Sequence, residues 1–170
     1  MDAVMNTETL RRGALAGMAG GVVMAMWSMI ALWLTGTGLW SPLNLIANTL
    51  WRGAPTGAAF SGGALALGLI VHMMMSMALG MAFAAGLRAF RPLAASRARL
   101  AMTGMAFGLG VWAVMQYGIW PAIDAGVAPK FTPWVFALGH LMFGAVTALA
   151  IGTSPGLRAR PVPRLHGTPA

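Results

Sequence analysis

Cysteine is absent from the 170 residues, which excludes disulfides, thiol nucleophiles and cysteine-ligated metals together. Carboxylates are nearly as scarce: Asp2, Glu8 and Asp124 are the only three. None falls within a long apolar stretch, so there is no carboxylate pair for general acid–base work. A phosphate-binding glycine loop and a Ser-His-Asp set at consistent depth are also missing, and the sequence leans away from an enzyme. Charged residues of both signs make up 8% of the chain, against about 25% in soluble domains. That is too little polar surface to cover a globule in water. The length suits one domain.

What the chain has instead is apolar length. Hydrophobic residues reach 58%, and four segments hold no charge at all: Gly13 to Leu34, Gly62 to Leu87, Leu100 to Trp120 and Pro133 to Ile151. At about 1.5 Å per residue each helix would reach roughly 28 to 39 Å, enough to cross a hydrocarbon core of about 30 Å. The segments lack the polar stripe of a soluble helix and the alternation of a barrel strand. The fold class expected is therefore all-α, a four-helix transmembrane bundle. Its single domain covers 13–152, with spans at about 13–34, 62–87, 100–120 and 133–151. A polar lead (1–12) precedes it, and a basic tail rich in proline (153–170), expected to be disordered, follows. The first apolar stretch is too long for a signal-peptide core and is read as a retained span.

The net charge of +8 does not indicate a nucleic acid partner, because the basic residues cluster at segment ends and form no aromatic-interleaved face. Arg11, Arg12, Arg88, Arg91, Arg97, Arg99, Arg158, Arg160 and Arg164 fall on one side of the four spans, against Arg52 and Lys130 on the other. The positive-inside bias then places both termini and the middle connection in the cytoplasm of a bacterial inner membrane. Trp33, Trp40, Trp51, Trp120 and Trp134 gather near the opposite ends, where amphipathic rings favour the headgroup level.

In the first outer connection, Ser41-Pro42 reads as a helix start. Leu43, Ile46, Ala47, Leu50 and Trp51 then share one face, and Asn44, Asn48 and Arg52 the other. This predicts an amphipathic interfacial helix at about 42–52. Trp120-Pro121 is expected to stop the third span and Thr132-Pro133 to start the fourth.

Without a hydrophobic drive between helices in lipid, association depends on close backbone approach. Small residues recur at intervals of four: Gly13, Gly17 and Gly21; Gly68, Ser76, Gly80 and Ala84; Gly104 and Gly108; Gly144, Ala148 and Gly152. These predict packing within a compact bundle, or alternatively between copies in a homo-oligomer. The glycine pairs of the first and third spans, and His72-Ser76-Gly80 beside His140-Gly144-Ala148, suggest two duplicated helical hairpins. Fifteen methionines, above all Met73, Met74, Met75 and Met77, raise the question of Cu(I), which thioethers suit. Consecutive methionines diverge around a helix, however, and packing is the favoured explanation.

Few polar side chains fall within the spans. His72 and His140 come at similar depth, with Gln116 and Ser28 in reach of that layer and Tyr117 and Asp124 at its edge. Ionisable groups at such depth mark a functional site by default. Three readings compete: neutral histidines that hold helices in register, a pair binding a metal or the axial positions of a haem, and a polar path for a proton or small solute.

Four stretches carry a resemblance: Gly17-Met-Ala-Gly-Gly21, Ser41-Pro-Leu-Asn-Leu-Ile46, Val71-His-Met-Met74 and Gly139-His-Leu-Met-Phe-Gly144. Across Gly13 to Gly152 the chain resembles a family of small bacterial integral membrane proteins with four spans and no assigned activity, a domain of unknown function. The resemblance implies the architecture and no reaction or ligand. The role expected first is a non-enzymatic accessory or structural membrane subunit, with the lipid bilayer and a larger membrane complex as partners and no cofactor. A small transporter or proton-conducting protein using His72 and His140 is the alternative. A membrane protein binding haem or copper is third.

Overall fold

Side-chain caps open three of the four long helices. Asn6 accepts from Thr9 N at 2.8 Å and opens α1 (Thr7–Leu34) well before the uncharged stretch. Glu8 pairs with Arg11 and Arg12 on that first turn. Ser61 Oγ accepts from Ala64 N at the head of α3 (Gly62–Ala89), and Ser96 Oγ from Arg99 N at the head of α4 (Arg97–Ile123). Between α1 and α3 lies the short α2 (Ser41–Asn48), and α5 (Pro133–Gly152) ends the described chain. The computed structural model describes residues 6–89 and 96–152. The predicted tail, part of the lead and Arg91 lie outside them. Among the described residues there is no strand, and α1, α3, α4 and α5 are long and apolar enough to cross a membrane.

The helices stand in the order α3, α1, α5, α4, so α1 and α5 occupy the middle. Glycine makes the closest approaches. A methyl group on Gly17 would collide with the Ser76 carbonyl oxygen and with Gly80 Cα of α3, and one on Gly80 would strike the Gly13 carbonyl oxygen. The α4–α5 crossing repeats the device: Gly108 sits on the His140 carbonyl, and Gly104 and Gly144 face each other. Gly20, on another side of α1, lies against Thr147 and Phe143 of α5. Trp27 Nε1 adds a hydrogen bond to the Val135 carbonyl at 2.9 Å.

The outer pair, α3 and α4, hardly meet. At the Ser96 end of the bundle the rings of Phe83 and Phe107 bridge them, with centroids 5.0 Å apart, within a core that includes Ala16, Leu87, Leu100 and Ile151. At the α2 end a second core gathers Leu32, Leu45, Phe131, Val135 and Phe136. A gap between α3 and α4 lies between these two cores.

Helix α2 differs from a helix with one dry and one wet face. All its residues except Ile46 are buried, and it stops at Asn48, leaving Leu50 and Trp51 exposed beyond its end. Asn44 Nδ2 donates to the carbonyls of Gly57 and Ala59 at 2.9 and 2.8 Å. Asn48 Nδ2 donates to those of Arg52 and Ala54 at 3.2 and 2.9 Å. The asparagines therefore organise the following loop, whose carbonyls lack sheet or helix partners. Gly36 and Gly38, both at positive φ, turn the chain off α1.

Helix α4 also continues past Pro121 to Ile123. A π-helical turn at Met115–Ile119 precedes the proline, with Trp120 N reaching back five residues to the Met115 carbonyl. The wider turn relieves the clash that a proline ring makes with the preceding turn of an α-helix.

Adding one methyl group at a crossing should be felt where an exposed glycine tolerates it. Gly80→Ala is expected to lower stability by about 1–3 kcal/mol. Gly110→Ala, with nothing within 4 Å of the added carbon, should leave stability unchanged or raise it by up to about 1 kcal/mol. Reversible unfolding in mixed micelles compares the two.

Candidate functional site

Helix α1 serves as a ruler for depth. Its Gly21 abuts Ser76 of α3, and His72 lies one turn from Ser76 toward the α2 end. Gly139 of α5 abuts Met24, Trp27 and Ser28 of α1, and His140 follows it directly. Both histidines therefore stand level with Met24, one on each side of α1.

Each histidine is 9% exposed and is held by one ring nitrogen. His72 Nε2 lies 2.9 Å from the Gly21 carbonyl oxygen, a bond between helices, and His140 Nδ1 lies 2.7 Å from the Phe136 carbonyl oxygen on its own helix. A carbonyl only accepts, so each of these nitrogens carries the proton in the neutral ring. Nδ1 of His72 and Nε2 of His140 are left with lone pairs, and neither has a partner among the described residues.

Both rings line one cavity of about 80 Å³ in the gap between α3 and α4. That is room for several water-sized molecules, each needing about 10–15 Å³. Met24, Phe136 and Phe143 form its back wall, from the two central helices. Ile46, Trp120 and Phe131 border it toward the α2 end, where the two loops are tied together. Arg52 pairs with Asp124 and donates to the Ile123 carbonyl at 2.9 Å, and Lys130 Nζ donates to Thr56 Oγ1 at 2.7 Å. The Phe83–Phe107 contact lies toward the other end.

Three of the four polar residues expected at that layer line one cavity, and the fourth, Ser28, does not. His72 and His140 share the cavity, and Gln116 borders it. Gln116 sits on the π-helical turn eight residues beyond Gly108, about 12 Å along the axis, with Nε2 3.5 Å from the Phe131 carbonyl oxygen. Ser28 is buried but does not line the cavity; its hydroxyl donates to the Met24 carbonyl at 2.9 Å. Tyr117 is exposed and lies edge-on to Trp112, and Asp124 accepts from Gly126 N and Val127 N as well as from Arg52.

Other lining residues were not legible as site residues. Ser76 was singled out for packing, yet it borders the cavity too. Trp112 lines it with a buried Nε1 that has no hydrogen-bond partner among the described residues. Met75 follows His72 by three positions, a spacing that shares a helix face, so that signal was present in the sequence. Among the described residues no three of His, Cys, Asp and Glu come together. No family model, curated protein or solved structure matches the chain.

The two rings are expected in opposite tautomers. Nitrogen-15 correlation spectra of ring-labelled protein at pH 8 should show protonated Nε2 at His72 and protonated Nδ1 at His140. Matching tautomers would contradict the hydrogen bonds described here.

Proposed function

We propose that the protein is a non-enzymatic, polytopic inner-membrane protein that holds a small ligand in the cavity between α3 and α4. The observation that carries this reading is the convergence of two imidazoles, each with one nitrogen pinned and the other unpartnered, on one cavity with largely apolar walls. Binding sites of this kind are apolar chambers with a few placed polar groups. Histidines serving only to hold helices in register would have less reason to share a cavity. A continuous path for a solute is less favoured, because the Phe83–Phe107 pair and the tied loops stand at its two ends.

In this reading both termini and the connection between α3 and α4 face the cytoplasm, as the distribution of Arg and Lys suggests. Helix α2 lies at the outer interface as a plug over the cavity, in place of a helix floating on the headgroups. The hairpins α1–α3 and α4–α5 are duplicates aligned on their glycine crossings. That alignment sets His140 against Ser76, whose carbonyls receive Gly108 and Gly17 respectively, one turn away from a match between the two histidines.

Filling the cavity tests the function. Val111 lines it without taking part in a crossing. Native mass spectrometry of gently purified wild-type protein should show a small adduct that Val111→Trp loses while keeping its helical spectrum. Bare wild-type mass, or an adduct retained by the variant, would contradict the reading. In the cysteine-free chain, Gly57→Cys should label from the periplasm and Arg97→Cys should not.

A further inference from the structure

The cavity proposed above as a binding site is lined by three methionines as well as two histidines, and they come from three different helices. Met24 belongs to α1, Met75 to α3 and Met115 to α4. We propose that the cavity is a Cu(I) site, with His72 Nδ1 and His140 Nε2 as its nitrogen ligands and thioethers from among these methionines completing the set. The inference rests on the reading of the cavity as a binding site and names its ligand.

Donor chemistry selects the ion. Thioether and imidazole are soft to intermediate donors and suit Cu(I). Zinc sites ordinarily use three or four His, Cys or carboxylate ligands, and calcium and magnesium require oxygen. No such group of three occurs among the described residues. Every donor here is neutral, so a bound ion keeps its full charge within largely apolar walls. The penalty for burying charge grows with its square, so a divalent ion would face about four times the penalty of a monovalent one. The indoles of Trp112 and Trp120 border the same space, and aromatic rings of this kind attract cations.

The histidines are also held as ligands usually are. In metal sites the ring nitrogen that does not bind usually donates to a carbonyl or carboxylate, which fixes tautomer and orientation. Gly21 and Phe136 supply those carbonyls. The methionine-rich run on α3 does not act as a linear ladder of sulfurs. Met75 lines the cavity, whereas Met74 is 65% exposed and is not part of its wall. The site is assembled across helices, and spacing within one helix displays only its His72–Met75 part.

The test uses the full chain in detergent, titrated anaerobically with Cu(I) held by a competing bicinchoninate chelator. The expected result is one tightly held Cu(I) per chain, with nitrogen and sulfur neighbours in its X-ray absorption spectrum. The double variant His72→Leu/His140→Leu should lose it. Met75→Leu and Met115→Leu nearly conserve volume and so keep the fold; at least one should weaken binding by about tenfold or more. Met74→Leu should bind as the wild type does. The assignment is overturned if the chelator keeps all the copper, if the double-histidine variant retains it, if neither methionine variant weakens it, or if Zn(II) binds equally well at the same residues. Failure to bind copper while Val111→Trp still abolishes a co-purified adduct would reject copper and leave the binding role standing. Loss of both signals would reject both.

Discussion

Direct contact between helix backbones is the constraint from which the rest of this architecture follows. At Gly17, Gly80, Gly104, Gly108 and Gly144 a single added carbon would run into a main-chain atom of the neighbouring helix. Where the surroundings are as apolar as the side chains, such close approach replaces the hydrophobic effect as the source of association. It also fixes register. Gly21 against Ser76 sets the height of His72, and Gly139 against Met24, Trp27 and Ser28 sets that of His140. The meeting of two distant histidines is thus a consequence of where glycines permit helices to touch.

The cavity has a corresponding origin. Helices α1 and α5 use their small residues on more than one side, so each has two close neighbours. Helices α3 and α4 spend theirs on α1, α2 and α5 and have no close crossing for each other. Bulky rings fill the resulting gap at the Ser96 end, through Phe83 and Phe107, and at the α2 end, through Trp120, Phe131 and Phe136. Between them remains a chamber lined by the imidazoles, Ser76 and Gln116 among largely apolar side chains. Asn44 and Asn48 support that chamber indirectly: by binding loop carbonyls they seat α2 against α3, which brings Ile46 to its border.

The features legible in the sequence were those that depend on a residue's own helix. Uncharged length located the four long helices, and intervals of four identified the faces that carry small residues. Counting along each span put the histidines at one height. Features that depend on another element were not legible. Spacing says which face of α1 is smooth but not which helix will occupy it, so the order α3, α1, α5, α4 could not be read. Asn44 and Asn48 scan as a polar face because their acceptors lie four to fifteen residues away in an irregular loop. Ser28 has the right depth but turns its hydroxyl to its own helix. Met24, Met75 and Met115 become a group only after three helices are placed. The π-helical turn that carries α4 through Pro121 has no pattern of its own, and the helix therefore outruns its expected end.

Magic-angle-spinning NMR of the protein in bilayers, with carbon-13 at glycine Cα, measures the central claim most directly. The account predicts cross-peaks joining Gly17 to Gly80 and Gly104 to Gly144, undiminished when labelled chains are diluted into unlabelled ones. Absence of these cross-peaks, or their loss on dilution, would mean that the glycine faces do not hold one chain together as described, and the shared histidine cavity would fall with them.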